Sequence, residues 1–158
     1  MSLNVYTDGC CKGNPGRGGF GIVIRYINQD KEISKGFKLT TNSRMELMAV
    51  VEAFKNINEK DYSEIKLFTD SKYVALSINN GWLNKWKSNG WRTSTRKPVK
   101  NRDLFEEFYD QIHKFKKVDF VWVKGHADNK YNNRCDEIAN YAANGSILED
   151  DKNYKNDG

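Results

Sequence analysis

The sequence predicts an α/β domain built on a mixed β-sheet, and two patterns carry that reading. Over the first forty residues apolar side chains alternate with a period of two and break at glycine- or asparagine-containing turns, the signature of an antiparallel meander. Beyond them the period switches back and forth between helix and strand, and a strand, helix, strand succession implies a right-handed crossover onto a parallel neighbour. The 158 residues, 38% of them hydrophobic, suffice for one core and one main domain.

The elements follow in order. Leu3 to Thr7, Gly18 to Ile27 and Ile33 to Leu39 read as three strands, separated by Gly13-Asn14-Pro15-Gly16 and Asn28-Gln29-Asp30-Lys31. Met45, Leu47, Met48, Val50, Val51, Phe54 and Ile57 recur at helical spacing, giving a helix from Ser43 to Asn58 with Asn42 or Ser43 as its cap. Ile65 to Thr69 is a short strand, and Ser71 to Ile78 a helix. A second helical pattern runs from Asp103 to Phe115, and Val118 to Val123 forms the last strand. Val123 to Asn132 is polar and contains glycine, which predicts a mobile loop. The final helix starts at Asn132 or Asn133 and stops at Asn144-Gly145. Residues 146–158 carry few apolar side chains and read as a polar, flexible tail to a domain spanning 1–145.

Composition narrows the function. No apolar run approaches the ~18 residues of a membrane span, and the amino terminus lacks the basic and apolar regions of a secretion signal, so a cytoplasmic protein without membrane contact is expected. Three cysteines without a CxxC pair argue against a disulfide framework or a zinc ribbon. The formal net charge is +5, but it is not evenly spread. Residues 81–102 hold seven basic side chains, no acid, and Trp82, Trp86 and Trp91; without that segment 19 basic residues face 21 acidic ones. One basic protrusion therefore accounts for the positive charge and suggests a polyanionic partner.

Four acids stand in positions where burial is expensive. Asp8 and Asp70 occur in matched contexts, Thr7-Asp8-Gly9 and Thr69-Asp70-Ser71, each at the end of a strand expected to be parallel to the other. Neighbouring strands would bring both carboxylates to the crevice where parallel sheets bind ligands; each Asp equally suits a turn or a helix start. Glu46 lies at the rim of the packed side of its helix, and Asp136 shares a face with Ala139 and Ala143 rather than with Asn140 or Asn144. Gathered carboxylates repel, so they protonate or are neutralised by a cation. All-oxygen donors favour Mg2+, with Mn2+ as a substitute, over zinc. Two such ions ~3.5–4 Å apart can activate a water and stabilise a leaving oxygen in phosphodiester cleavage.

From Val5 to about Glu149 the chain resembles ribonuclease H of type 1 in its bacterial form. The resemblance rests on Thr7-Asp8-Gly9 with Gly13-Asn14-Pro15-Gly16, on Thr40-Thr41-Asn42-Ser43-Arg44-Met45-Glu46-Leu47, on Thr69-Asp70-Ser71, on Gly125-His126-Ala127 and on Asn132-Asn133-Arg134-Cys135-Asp136-Glu137. It implies a five-stranded mixed sheet of order 3-2-1-4-5 flanked by helices. It implies that Asp8, Glu46, Asp70 and Asp136 are the catalytic, metal-binding carboxylates and that His126 assists proton transfer and product release. It places Asn14 and Asn42 against an RNA strand, Thr41 and Arg44 near a DNA phosphate, and Trp82 along the DNA strand, whereas Trp86 and Trp91 serve the local core of the protrusion. Lys85, Lys87 and Arg92 are expected to contact phosphates. One departure is Asn133, where members commonly carry Glu.

The implied activity is endonucleolytic hydrolysis of the RNA strand of an RNA/DNA hybrid by two Mg2+ ions, leaving 3′-hydroxyl and 5′-phosphate ends, by a monomer with no obligatory protein partner. Two rivals remain. A nuclease of related sheet but DNA substrate has no need of Asn14 and Asn42 at a 2′-hydroxyl. A catalytically silent binder gains nothing from four acids facing phosphate.

Overall fold

The computed structural model describes residues 2–124 and 129–154. The alternating segments form β1 (Ser2–Lys12), β2 (Gly16–Arg25) and β3 (Asp30–Thr40), paired antiparallel in sequence. β4 (Glu64–Thr69) pairs parallel with β1, and β5 (Lys117–Trp122) parallel with β4. The sheet order is β3-β2-β1-β4-β5, as expected. β1 runs further than its apolar alternation suggests, because its pairing with β2 continues to Lys12 opposite Arg17. Asp8 is consequently not at the end of its strand. It lies one residue past the last parallel pair, Thr7 with Thr69, inside the continuing antiparallel ladder.

Among the described residues, five helices complete the fold: α1 (Asn42–Lys55), α2 (Lys72–Asn79), α3 (Trp82–Ser88), α4 (Arg102–Ile112) and α5 (Lys130–Ala143). The cap of α1 is Thr41 rather than Asn42 or Ser43, its Oγ1 accepting from the Arg44 N–H at 3.3 Å. Ser71 caps α2 through the Val74 N–H at 3.2 Å. α5 starts at Lys130, ahead of the expected Asn132 or Asn133, because Asn129 Oδ1 accepts from the N–H groups of Tyr131 and Asn132. α3 falls inside the basic protrusion and is an element the sequence reading does not name.

Val5, Ile22, Ile24 and Leu67 of the sheet pack with Met45, Val50 and Phe54 of α1 and with Phe105 and Phe108 of α4 to make the main core. α5 covers the opposite face over Tyr6 and Val23, with Cys135 fully buried. The segment read as a flexible tail is tied down in part. The Lys38 N–H donates to Glu149 O at 2.9 Å and the Glu149 N–H to Gly36 O at 2.8 Å, so the outer edge of β3 acquires a partner. Asp151 follows with its side chain only 2% exposed against Arg44. Among the described residues no helix is long and apolar enough to cross a membrane.

Candidate active site

Two glycines let helices approach the sheet where Asp8 stands. A Cβ on Gly9 would sit 2.5 Å from the backbone nitrogen of Glu46, so only a hydrogen there allows the start of α1 to press on β1. A Cβ on Gly21, which faces Asp8 across the β1–β2 ladder, would sit 2.2 Å from the carbonyl oxygen of Cys135. That contact seats α5 on the sheet at the residue before Asp136. Tyr6 and Phe68, each two residues before an acid and opposite one another on β1 and β4, stack at 4.7 Å between ring centroids.

Three of the four acids therefore gather: carboxylate oxygens of Asp8, Glu46 and Asp70 lie within 4.8 Å of one another. Asp136, on α5, is near enough for its charge to act on Asp8. Burial, reinforced by the charges of Asp70 and Asp136, pushes the Asp8 carboxyl up to about 9. Burial likewise raises Glu46 to about 7, with the charge of Asp70 adding to the rise and hydrogen bonds from Ser71 and Asn42 opposing it. Carboxyls this far from their ordinary range lack a counter-charge. An all-oxygen, acidic donor set fits a hard divalent cation, and the cation would supply the missing positive charge.

Polar neighbours orient the acids. Asn42 Nδ2 donates to Glu46 Oε1 at 3.4 Å, and the Asn42 N–H donates to Asn14 Oδ1 at 2.9 Å, so the exposed turn at Asn14 is wired to the carboxylate through one residue. Asn140 Nδ2 donates to Asp136 Oδ1 at 3.1 Å. Asn140, expected on the far side of α5 from Asp136, thus meets it, and Ser71, which has no expected role, eases the rise at Glu46. The i, i+4 spacing of Asn42 with Glu46 and of Asp136 with Asn140 is the signal that could have found two of these partners.

Arg44 needs a correction. It was expected near a DNA phosphate, but its side chain is 3% exposed and its guanidinium is consumed within the protein. Nη1 and Nη2 form a fork to Asp103 at 2.9 and 2.7 Å, and Nε and Nη2 reach Asp151 at 2.6 and 3.0 Å. Nη1 also donates to Asn101 Oδ1 at 3.3 Å. A buried guanidinium holding two carboxylates has no donor left for a phosphate. Thr41, engaged as the α1 cap, and Asn42 remain partly accessible at the cleft.

The basic protrusion stands on its aromatic residues as expected. Trp86 meets Phe105 edge-on at 4.9 Å, and Trp91, 4% exposed, meets Tyr109 edge-on at 6.5 Å. Trp82 is half-buried and tilts over Trp86 at 6.1 Å, leaving part of its ring to solvent. Lys85, Lys87 and Arg92 are exposed. α2 links the two regions, since it begins beside Asp70 and leads through Gly81 into α3. His126 lies outside the described residues.

Residues 1–144 match the family model described as RNase H. The chain is 46% identical over 154 residues to the Ribonuclease H of Rippkaea orientalis, covering 98% of this chain and 93% of that protein. Its fold matches the crystal structure of LC9-RNase H1, a type 1 RNase H with the type 2 active-site motif, with a TM-score of 0.80 at 28% identity over 92% of this chain and 74% of that one. The foamy viral protease-reverse transcriptase in complex with RNA/DNA hybrid matches with a TM-score of 0.77 at 25% identity, over 90% of this chain and 20% of that one.

Proposed function

Since the chain belongs to the ribonuclease H family and is an enzyme of that family, we propose that it hydrolyses the RNA strand of RNA/DNA hybrids endonucleolytically, leaving 3′-hydroxyl and 5′-phosphate ends. The observation that carries the reading is the convergence of Asp8, Glu46 and Asp70 within ligand distance of one another, with Asp136 beside Asp8. The related foamy viral enzyme, seen with such a hybrid, supports the substrate class.

Asp8, Glu46, Asp70 and Asp136 hold two Mg2+ ions in this proposal. When bound, the ions supply Lewis acidity to the attacking water and to the departing 3′-oxygen. The remaining work falls to the chain. Asn42 and Ser71 hold Glu46 in place, and Asn140 holds Asp136. Asn14 and Asn42, joined at the mouth of the cleft, are placed to read a 2′-hydroxyl, the group that separates RNA from DNA. Thr41 and the exposed edge of Trp82 face the DNA strand, and Lys85, Lys87 and Arg92 take its phosphates. His126 moves a proton at the leaving side, a role that rests on the family resemblance. Action as a cytoplasmic monomer belongs to the same proposal and has the same support.

The deciding experiment offers labelled RNA/DNA hybrid, RNA duplex and DNA duplex with Mg2+ or EDTA. Cleavage confined to the RNA of the hybrid, dependent on Mg2+ and lost by at least about 100-fold in Asp70→Asn with hybrid binding retained, is expected. Cleavage of the DNA duplex, or turnover by Asp70→Asn comparable to that of the natural protein, overturns the reading.

A further inference from the structure

Among the described residues, Asn132 Oδ1 is the one buried side-chain nitrogen or oxygen without a hydrogen-bond partner. Its orientation is not arbitrary. Asn132 Nδ2 donates to the carbonyl oxygen of Phe68 at 3.4 Å, and turning the amide over would set two acceptors against each other. The donor end is thus committed to β4, and the acceptor end is left free in a place where desolvation is not compensated.

That place adjoins the acid cluster. Phe68 precedes Asp70 by two residues, so its carbonyl lies at the end of β4 from which Asp70 projects. Asp136 follows Asn132 by one helical turn on α5, which sets the two side chains on one face of the helix. The free acceptor therefore belongs to a side chain that is tied to the end of β4 leading into Asp70 and set on the same face of α5 as Asp136. A carboxylate oxygen is itself an acceptor, whereas a hydrated divalent cation held by the acids would bring O–H donors to that spot. Mg2+ in particular keeps several of its waters when bound by carboxylates.

We propose that Asn132 Oδ1 accepts a hydrogen bond from a water in the hydration shell of the cation on the Asp70 and Asp136 side, making Asn132 a positioning residue for that cation. The inference rests on the cation reading given above. Being neutral, the amide orients the hydrated ion without adding to the crowded negative charge of the cluster.

The test is calorimetric titration of Mg2+, and separately Mn2+, into the substrate-free protein and into Asn132→Ala, Asn132→Asp and Asp70→Asn. Asn132→Ala is expected to weaken cation binding about 10-fold, as loss of an outer partner does. Asn132→Asp, which keeps the acceptor oxygen and adds charge, is expected to bind at least as tightly as the natural protein. Unchanged affinity in Asn132→Ala overturns the inference, as does weakening of Asn132→Asp to the level of Asn132→Ala, which marks a role for the amide N–H alone. If Asp70→Asn too binds like the natural protein, the cation reading itself fails; if only Asn132→Ala does, this inference alone falls.

Discussion

The carboxylate of Asp151 lies 2.6 Å from Nε of Arg44 across 107 positions of sequence, with both side chains at most 3% exposed. The same carboxylate accepts from Thr40 Oγ1 at 2.8 Å, so one acid near the carboxyl terminus clasps the end of β3 to the first turn of α1. Removing Asp151 leaves Arg44 its fork to Asp103 but strips Nε and one Nη2 hydrogen of their buried acceptor, at a cost of about 1–3 kcal/mol. Asp151→Ala is therefore expected to lower the free energy of unfolding by about that amount, read from urea denaturation. A loss below about 1 kcal/mol would show the clasp to be no better than a surface pair.

Gly21 marks the closest approach of α5 to the sheet. Gly21→Ala forces a methyl against the Cys135 carbonyl and is expected to destabilise the fold by about 1–3 kcal/mol. Because Asp136 is the next residue, kcat should fall as well. A variant with full activity would show that Asp136 does not depend on this contact.

Neutralising Lys85, Lys87, Arg92 and Arg96 together is expected to weaken hybrid binding and to flatten its dependence on salt. Each lost phosphate contact takes about 0.9 from the slope of log K against log salt, so a flattening of about 2–4 is expected. Binding measured from 50 to about 200 mM salt checks this, and an unchanged slope excludes the protrusion as the grip.

The raised carboxyls make the cation-free protein sensitive to pH. Asp8 at about 9 and Glu46 at about 7 hold their protons more tightly folded than unfolded, so their unfavourable contribution is absent below about pH 4 and grows as pH rises through these values. Stability in EDTA should fall across that window, and divalent cation should restore it at neutral and higher pH. At pH 7 cation binding should release protons, measured by calorimetry in two buffers of different ionisation enthalpy. Identical heats in both buffers would contradict the raised values.

Much of the site was legible locally. Asp8 and Asp70 could be paired because each follows the same run of alternating residues closed by Thr, although β1 continues past Asp8 to Lys12. The contexts of Glu46 and Asp136 were readable because a charge among small apolar residues on a helix face is costly without a purpose. The tryptophans of the protrusion also follow the reading from composition, with Trp91 buried and Trp86 half-buried against α4.

Other features depended on contacts that leave no mark in local pattern. An arginine in a polar stretch before a helix looks like a phosphate ligand, and only the arrival of Asp103 and Asp151 turns Arg44 into an interior cation. Residues 146–158 look loose by composition because their attachment uses two backbone hydrogen bonds at Glu149 and one buried carboxylate, none of which requires apolar side chains. Periodicity alone was enough for the five strands and for four of the five helices described, and the energy of a misplaced charge was enough to single out the acids. The tertiary structure alone decided which polar groups meet across a hundred residues, because a hydrogen bond or ion pair is set by the distance between two atoms, and chain order does not encode that distance.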